Sequence, residues 1–397
     1  MFEQIERVPG DPILGLIDAF NQDVNPSKID LGVGVYRDAQ GHTPILRAVK
    51  EAEALLLARE TTKSYIGSHG DPQYGQHLLS LVLGSQSPVL EAKRACATQA
   101  PGGTGALRLA ADFIHKTLPQ AKVWVSRPTW PNHLSIFEAA GVPTRDYAYV
   151  DAATNSLDFE SMLADLQEVA AGDVVLLHAC CHNPSGFDLS EHQWQKIADL
   201  AEDKGFLPLI DFAYQGFGLG LEEDAYGVRL LAERLPEVII TSSCSKNFGL
   251  YRERLGTLIM VAANHDQMQN VKSQVAVVAR ANYSNPPAHG GAIVTTILES
   301  TELTAYWLQE LDEMRTRILD LRHAFVNALK PQGLGDKFAC IAEQKGMFSY
   351  TGLTPEQVDR LRDEYSIYMV RSGRINIAGI NDQTLPYLCQ AIAKVCQ

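Results

Sequence analysis

The stretch Val238-Ile239-Ile240-Thr241-Ser242-Ser243-Cys244-Ser245-Lys246-Asn247-Phe248-Gly249 passes from an apolar, β-branched run directly into a loop of small hydroxyl residues around one lysine. The run Val238 to Thr241 has the length and composition of a buried strand, and the loop follows at its carboxyl end. Val123-Trp124-Val125, Val174 to His178, Leu207 to Ile210 and Thr257 to Val261 read as strands in the same way, most of them followed by a loop rich in Gly, Asn, Ser or Asp. From about Arg94 to Met260 these runs alternate with longer helical patterns, which predicts an α/β fold with a largely parallel sheet wrapped by helices. In open sheets of this kind ligands gather beyond the carboxyl ends of the strands, so the chemistry is expected in those loops.

Further along, Leu308, Leu311, Met314, Ile318, Leu321, Phe325 and Leu329 recur at spacings of three and four, which marks one face of a long helix. After it, Met347 to Tyr350, the helix-like Thr354 to Glu364 and Ile367 to Val370 predict a smaller α+β domain, to which the segment up to about Thr43 is assigned. The expected division is 1–43 for an N-terminal arm and the first part of the small domain, 44–310 for the large ligand-binding domain, and 311–397 for the rest of the small domain.

Composition narrows the function classes. The chain has 397 residues, 46% hydrophobic and 20% charged, enough for more than one core and unlike a disordered or fibrous chain. With 34 Lys+Arg against 47 Asp+Glu the net charge is -13, which repels phosphate backbones and anionic headgroups, so neither nucleic acid nor a membrane surface is an expected partner. No apolar run approaches the ~20 residues of a membrane-spanning helix. Met1 to Asp11 hold two glutamates and an arginine and no apolar stretch, and seven scattered cysteines form no C-x-x-C pair. A cytoplasmic protein with reduced thiols is expected.

Lys246, at a strand's carboxyl end, can form a Schiff base if its amine is neutral, a state favoured by burial and by a cation such as Arg254; a solvated loop lysine is the alternative. Asp211 opens Asp211-Phe212-Ala213-Tyr214. A carboxylate pairing a ring N–H⁺ and a phenol bonding a ring oxygen suit a pyridine cofactor, whereas a helix N-cap and a packing tyrosine are the plainer readings. Pro101-Gly102-Gly103-Thr104-Gly105 precedes a helix-forming run and places backbone N–H groups where an anion could sit, or makes a tight turn. It has neither G-K-[ST] nor G-x-G-x-x-G spacing, which leaves a mononucleotide or a phosphorylated cofactor. His178-Ala179-Cys180-Cys181-His182-Asn183-Pro184-Ser185-Gly186 imitates a metal cluster, but Cys180 and Cys181 should point to opposite sides of an extended chain, and no metal is expected. Asn183 offers an amide to a ligand or serves as a turn residue.

Together these motifs resemble the pyridoxal-phosphate-dependent class I aminotransferases, within them the aspartate and aromatic aminotransferase family. The resemblance runs from Gly10-Asp11-Pro12-Ile13-Leu14 through Ile29 to Tyr36 and on to Gly373 to Gly379, and is most specific at Ser245 to Tyr251 and Arg280 to Pro287. It implies a fold-type-I transferase with a large, mainly parallel sheet domain and a smaller α+β domain, binding pyridoxal 5'-phosphate. It implies that Lys246 carries the cofactor and shuttles the proton, and that Asp211 keeps the pyridine nitrogen protonated. Asn183 and Tyr214 would bond the ring oxygen, and Gly103, Thr104, Ser243, Ser245 and Arg254 would hold the phosphate. Trp130 would stack on the ring, and Tyr65 would reach the phosphate of a neighbouring subunit, which requires a homodimer with shared sites. Arg374, with the backbone at Gly34, would grip the α-carboxylate, and Arg280 of the partner the distal carboxylate of a dicarboxylic substrate.

The implied activity is reversible ping-pong transfer of the amino group from L-aspartate to 2-oxoglutarate, giving oxaloacetate and L-glutamate, with an aromatic or broad-specificity aminotransferase as the alternative. Ser185 and Ser64 stand where the family commonly has threonine and asparagine, and Cys244 replaces a bulkier residue. Ser64 leans towards aromatic substrates, and Thr43, Thr104 and Asn285 lean towards aspartate. His133 and His178 receive no role.

Overall fold

Seven strands form one sheet in a computed structural model that describes residues 1–7 and 12–397, residues 12–14 by backbone alone. Gly10 and Asp11 of the motif Gly10 to Leu14 lie outside the described residues. The strands are β1 (Ala95–Pro101), β2 (Val123–Arg127), β3 (Thr144–Ala148), β4 (Val174–His178), β5 (Leu207–Phe212), β6 (Val238–Ser243) and β7 (Leu255–Val261). Their spatial order is β1-β7-β6-β5-β4-β2-β3. β7 runs antiparallel to β1 and β6, and the other pairings are parallel. The mainly parallel sheet expected from the alternation is present.

Every residue of β4 and β7 is buried, because the sheet is covered on both faces. Side chains alternate between two cores. Val175, Leu177, Ile210, Phe212 and Ile240 belong to one, and Val174, Leu176, Leu209, Ile239 and Leu258 to the other. Helix α1 (Gly102–Thr117) supplies Ala106, Leu107, Leu109, Ala110 and Ile114 to the second.

Neither β1, whose Ala-Cys-Ala-Thr-Gln-Ala-Pro holds no β-branched apolar run, nor β3 is read as a strand from the sequence. The β3 residues Thr-Arg-Asp-Tyr-Ala lie at the sheet edge with only Tyr147 buried, so no apolar run marks them. The strands β5 and β6 also run two residues beyond the apolar segments that signalled them, so that Asp211 lies inside β5 and does not cap a helix.

The long helix is Thr301–Leu329, here α2. Leu311, Met314, Ile318, Leu321, Phe325 and Leu329 are buried as their spacing predicts, whereas Leu308 is 43% exposed because the buried stripe there passes through Trp307. Trp307 stacks on Phe248 with ring centroids 4.3 Å apart and donates to the Asn247 carbonyl at 2.7 Å, which ties α2 to the lysine loop. Beyond α2, Phe348–Tyr350 pairs antiparallel with Arg374–Asn376, and Pro355–Tyr365 is helical. Ile29-Asp30 pairs in parallel with Ile367-Tyr368, joining the N-terminal segment to the C-terminal one. No described helix is long and apolar enough to cross a membrane.

Candidate active site

The carboxyl ends of β5 and β6, the amino end of α1 and the strand Arg374–Asn376 enclose a cavity of about 250 Å³. Twelve of the residues singled out in the sequence line it: Gly34, Gly103, Thr104, Trp130, Asn183, Asp211, Tyr214, Ser243, Ser245, Lys246, Arg254 and Arg374. Leu107, Ala213 and Phe348 complete the wall.

Lys246 follows β6, and its Nζ lies 5.0 Å from the centre of the Tyr214 ring. Burial lowers its pKa to about 8; the nearby Asp211 carboxylate opposes that shift and Arg254 assists it. About a tenth of the amine is therefore neutral at pH 7 and about half at pH 8, far more than for a lysine with the ordinary pKa, and the neutral form is the one a nucleophile or proton acceptor requires. Burial holds the Tyr214 phenol well above its ordinary pKa, so it keeps its proton and can donate a hydrogen bond.

Asp211 accepts from Nε2 of the buried His133 at 3.1 Å. Burial alone would raise its pKa, but the His133 hydrogen bond and the charges around it outweigh burial, and the pKa is lowered. Behind His133 lies a column of rings: His133 to His178 at 5.3 Å, His178 to His182 at 4.2 Å, and His182 stacked on Tyr149 at 4.1 Å. Burial, then neighbouring His133, takes the His178 pKa down to about 3, so its imidazole is neutral.

The anion cradle forms where β1 hands over to α1. Gly102 opens the helix at φ 74°, and a Cβ there would lie 2.6 Å from Nη2 of Arg254, so glycine lets the guanidinium reach the helix terminus. Arg254 itself adopts φ 51°, a left-handed conformation uncommon outside glycine and characteristic of functional sites. Ser243 Oγ accepts from the Ser245 amide at 3.2 Å. Free amides of a helix start, hydroxyls and an arginine converge as a phosphate group requires.

Arg374 is buried in the wall of the same cavity. Its Nη2 donates to the Gly32 carbonyl at 2.8 Å and Nη1 to Oδ1 of Asn183 at 3.4 Å, while Nε has no partner among the described residues. A buried cation with an unused donor at a cavity is a carboxylate receptor in waiting.

The sequence matches the family described as aminotransferase class I and II over residues 26–392. The chain belongs to that family. It is 57% identical over its whole length to an aromatic-amino-acid aminotransferase of Pseudomonas aeruginosa, covering 99% of that protein. It is 52% identical to an aspartate aminotransferase of Escherichia coli K12, with each chain covered completely. An aromatic-amino-acid aminotransferase from Burkholderia pseudomallei, solved with pyridoxal phosphate covalently bound, superposes with a TM-score of 0.98 over both full chains at 46% identity.

Tyr65 and Arg280 do not line this chain's cavity. Tyr65 is 91% exposed, and Arg280 is exposed with its guanidinium on the Ser284 hydroxyl. His133, Leu107, Phe348 and Asn376 were not assigned from sequence. Asn376 donates to the carbonyls of Val33 at 2.6 Å and Val35 at 2.8 Å, and so holds the Gly34 backbone at the cavity. Its neighbour Arg374, already suspected, was the one available signal.

The cysteine pair differs from expectation. Cys181 adopts φ 52°, so the chain is not extended there, and both thiols lie with a carboxylate oxygen of Asp224 within 4.8 Å of one another. The Asp224 carboxylate accepts from the amides of Gly216, Gly218 and Leu219, and burial raises both thiol pKa values, Cys181 to about 11. Burial thus keeps both thiols protonated beside a carboxylate that is engaged with backbone amides.

Proposed function

We propose that the chain is an aspartate aminotransferase, transferring the amino group of L-aspartate reversibly to 2-oxoglutarate to give oxaloacetate and L-glutamate in a ping-pong cycle. Its cofactor is pyridoxal 5'-phosphate. The observation that carries this reading is the buried Arg374, with one donor unpartnered among the described residues, lining a single cavity with Lys246 and Asp211. The cradle glycine with Arg254 beside it and the buried acid Asp211 fit a phosphorylated pyridine. When bound, that group supplies an electron sink that lets a substrate Cα–H leave as a proton.

Gly103, Thr104, Ser243, Ser245 and Arg254 would hold the phosphate, Asp211 would pair the ring nitrogen, Asn183 and Tyr214 would bond the ring oxygen, and Trp130 would cover the ring; all of them line the one cavity. Arg374 and the backbone at Gly34 orient the substrate's α-carboxylate. Lys246 Nζ takes the α-proton and returns it. Tyr65 and Arg280 serve the cavity of a second copy in a homodimer, Tyr65 at the phosphate and Arg280 at the distal carboxylate; their exposure on this chain supports that reading. The division into 1–43, 44–310 and 311–397 is supported by the pairing of Ile29-Asp30 with Ile367-Tyr368. A cytoplasmic location is supported by seven free thiols, the state a reducing compartment maintains.

A second reading, an aromatic or broad-specificity aminotransferase, is favoured by the 57% identity to the Pseudomonas aeruginosa relative and by the apolar Leu107, Trp130 and Phe348 in the cavity wall. The ratio of kcat/KM for aspartate and phenylalanine decides between them. Stoichiometric glutamate and oxo acid identify transamination, whereas ammonia or carbon dioxide would overturn it in favour of lyase or decarboxylase chemistry on the same fold.

A further inference from the structure

Arg322, on α2, is completely buried, and among the described residues no carboxylate pairs with it. Its guanidinium instead binds four neutral acceptors. Nη1 donates to the Ile341 carbonyl at 3.0 Å and to Oγ of Ser349 at 2.5 Å, and Nη2 to the carbonyls of Gly346 at 2.6 Å and Phe348 at 2.8 Å. Burial lowers its pKa to about 10, which leaves it charged at neutral pH.

A buried charge on neutral acceptors is costly compared with an apolar side chain of similar volume. What the guanidinium contributes is geometry, since its rigid fork fixes several acceptors of one segment at once. That segment includes Phe348, whose ring centre lies 4.3 Å from Cζ of Arg374. The tip of the ring is confined as well, because a Cβ on Gly34 would come within 2.8 Å of its Cζ. The strand register explains the stack. Tyr350 lies opposite Arg374 and Phe348 opposite Asn376, so Phe348 and Arg374 are diagonal neighbours on one face.

We propose that Arg322 is a positioning residue for substrate binding, fixing the backbone that carries Phe348 and, through that ring, the orientation of the Arg374 guanidinium. The proposal rests on Arg374 as the receptor of the α-carboxylate. It predicts that the fork of Arg322 matters beyond its charge. A lysine keeps the charge and fills much of the space, but one ammonium cannot reproduce four directed contacts spread from Ile341 to Ser349.

The test is calorimetric titration of the holoenzyme with succinate, a dicarboxylate lacking the amino group, in Arg322→Lys, Ser349→Ala and Arg374→Ala, with cofactor absorbance and thermal midpoint measured on the same samples. Arg322→Lys is expected to weaken succinate by at least about tenfold and Ser349→Ala by about threefold, with bound cofactor per chain within about twofold of wild type. Arg374→Ala is expected to weaken it by about thirtyfold or more. If Arg374→Ala binds succinate like wild type, the carboxylate reading falls and this proposal with it. If Arg374→Ala loses succinate while Arg322→Lys and Ser349→Ala bind within about twofold of wild type, Arg322 only stabilises the fold and the proposal is overturned, whatever the thermal midpoints. Should Arg322→Lys fail to fold, Ser349→Ala decides alone, because it removes one of the four acceptors and leaves the guanidinium in place.

Discussion

Nε2 of His133 lies 3.1 Å from Oδ2 of Asp211, and the same imidazole is held at Nδ1 by the Thr129 hydroxyl at 2.8 Å. An ionised carboxylate only accepts, so His133 donates to it, and the acid stays charged in a place where burial would otherwise neutralise it. A permanently charged carboxylate is what a protonated pyridine nitrogen needs as a partner.

Asp211→Ala should therefore cripple α-proton exchange more than it loosens the cofactor. The exchange of substrate α-deuterium for solvent protons is expected to fall by about a hundredfold or more, the loss of a charge-assisted contact made at the reacting ring. Absorbance of bound cofactor should change far less, because the phosphate cradle is untouched. A wild-type exchange rate would remove Asp211 from its assigned role.

Lys246 gives a prediction in pH. Its folded-state pKa of about 8 lies below the ordinary value of 10.5. Between those two values the unfolded chain binds more protons than the folded one, so stability rises with pH across that window, and below pH 8 the folded state carries the full cost of the buried ammonium. In protein stripped of cofactor, wild type should gain on the order of 2 kcal/mol relative to Lys246→Ala between pH 7 and pH 10, less than the whole shift because the head group is partly solvated. Urea unfolding of both proteins measures it. Lys246→Ala itself should fold and lose transamination, and borohydride reduction of the holoenzyme should label Lys246; label on another lysine contradicts the assignment.

The elements that were legible in the sequence are those whose burial is written in consecutive residues. Val174 to His178 and Val238 to Thr241 are covered on both faces and read as unbroken apolar runs, and the loops after them carry Asn183 and Lys246. β3 escaped because an edge strand with one buried residue has no such run. His133 escaped because its partner Asp211 is far away in the chain, and nothing local to Trp130-Pro131-Asn132-His133 announces it. Arg322 escaped for a different reason: a charged residue in an amphipathic helix is ordinarily read as solvated, and its four acceptors all come from a later segment.

The packing of Trp307 on Phe248 predicts a defect that reaches the site from a distance. Trp307→Ala should cost about 3–5 kcal/mol of stability, the usual range for emptying a fully buried aromatic site. It also frees the Asn247 carbonyl, next to Lys246, from its 2.7 Å hydrogen bond. Turnover of the folded variant should drop even where its thermal melt shows it fully native; a purely global effect would leave turnover per folded molecule unchanged.

Arg280 and Lys246 together test whether the cavity is completed by a second copy. If Arg280 acts in the partner's cavity, a heterodimer of Lys246→Ala and Arg280→Ala chains has one site with both residues intact and one site lacking both. If Arg280 acts in its own chain, each of the two sites carries one lesion. Each homodimer alone should be poor on aspartate, Lys246→Ala for every substrate and Arg280→Ala by at least about thirtyfold in kcat/KM, with a much smaller loss on phenylalanine, which has no second carboxylate to leave unpaired. Mixing the two at equal concentration and allowing subunits to exchange should restore about a quarter of wild-type aspartate activity, because half of the two-fold dimers are mixed and half of their sites are whole. Failure to regain activity after exchange, verified by mass spectrometry of the mixed dimer, would show that Arg280 does not reach across, and equal losses for aspartate and phenylalanine in Arg280→Ala would move the aromatic reading ahead.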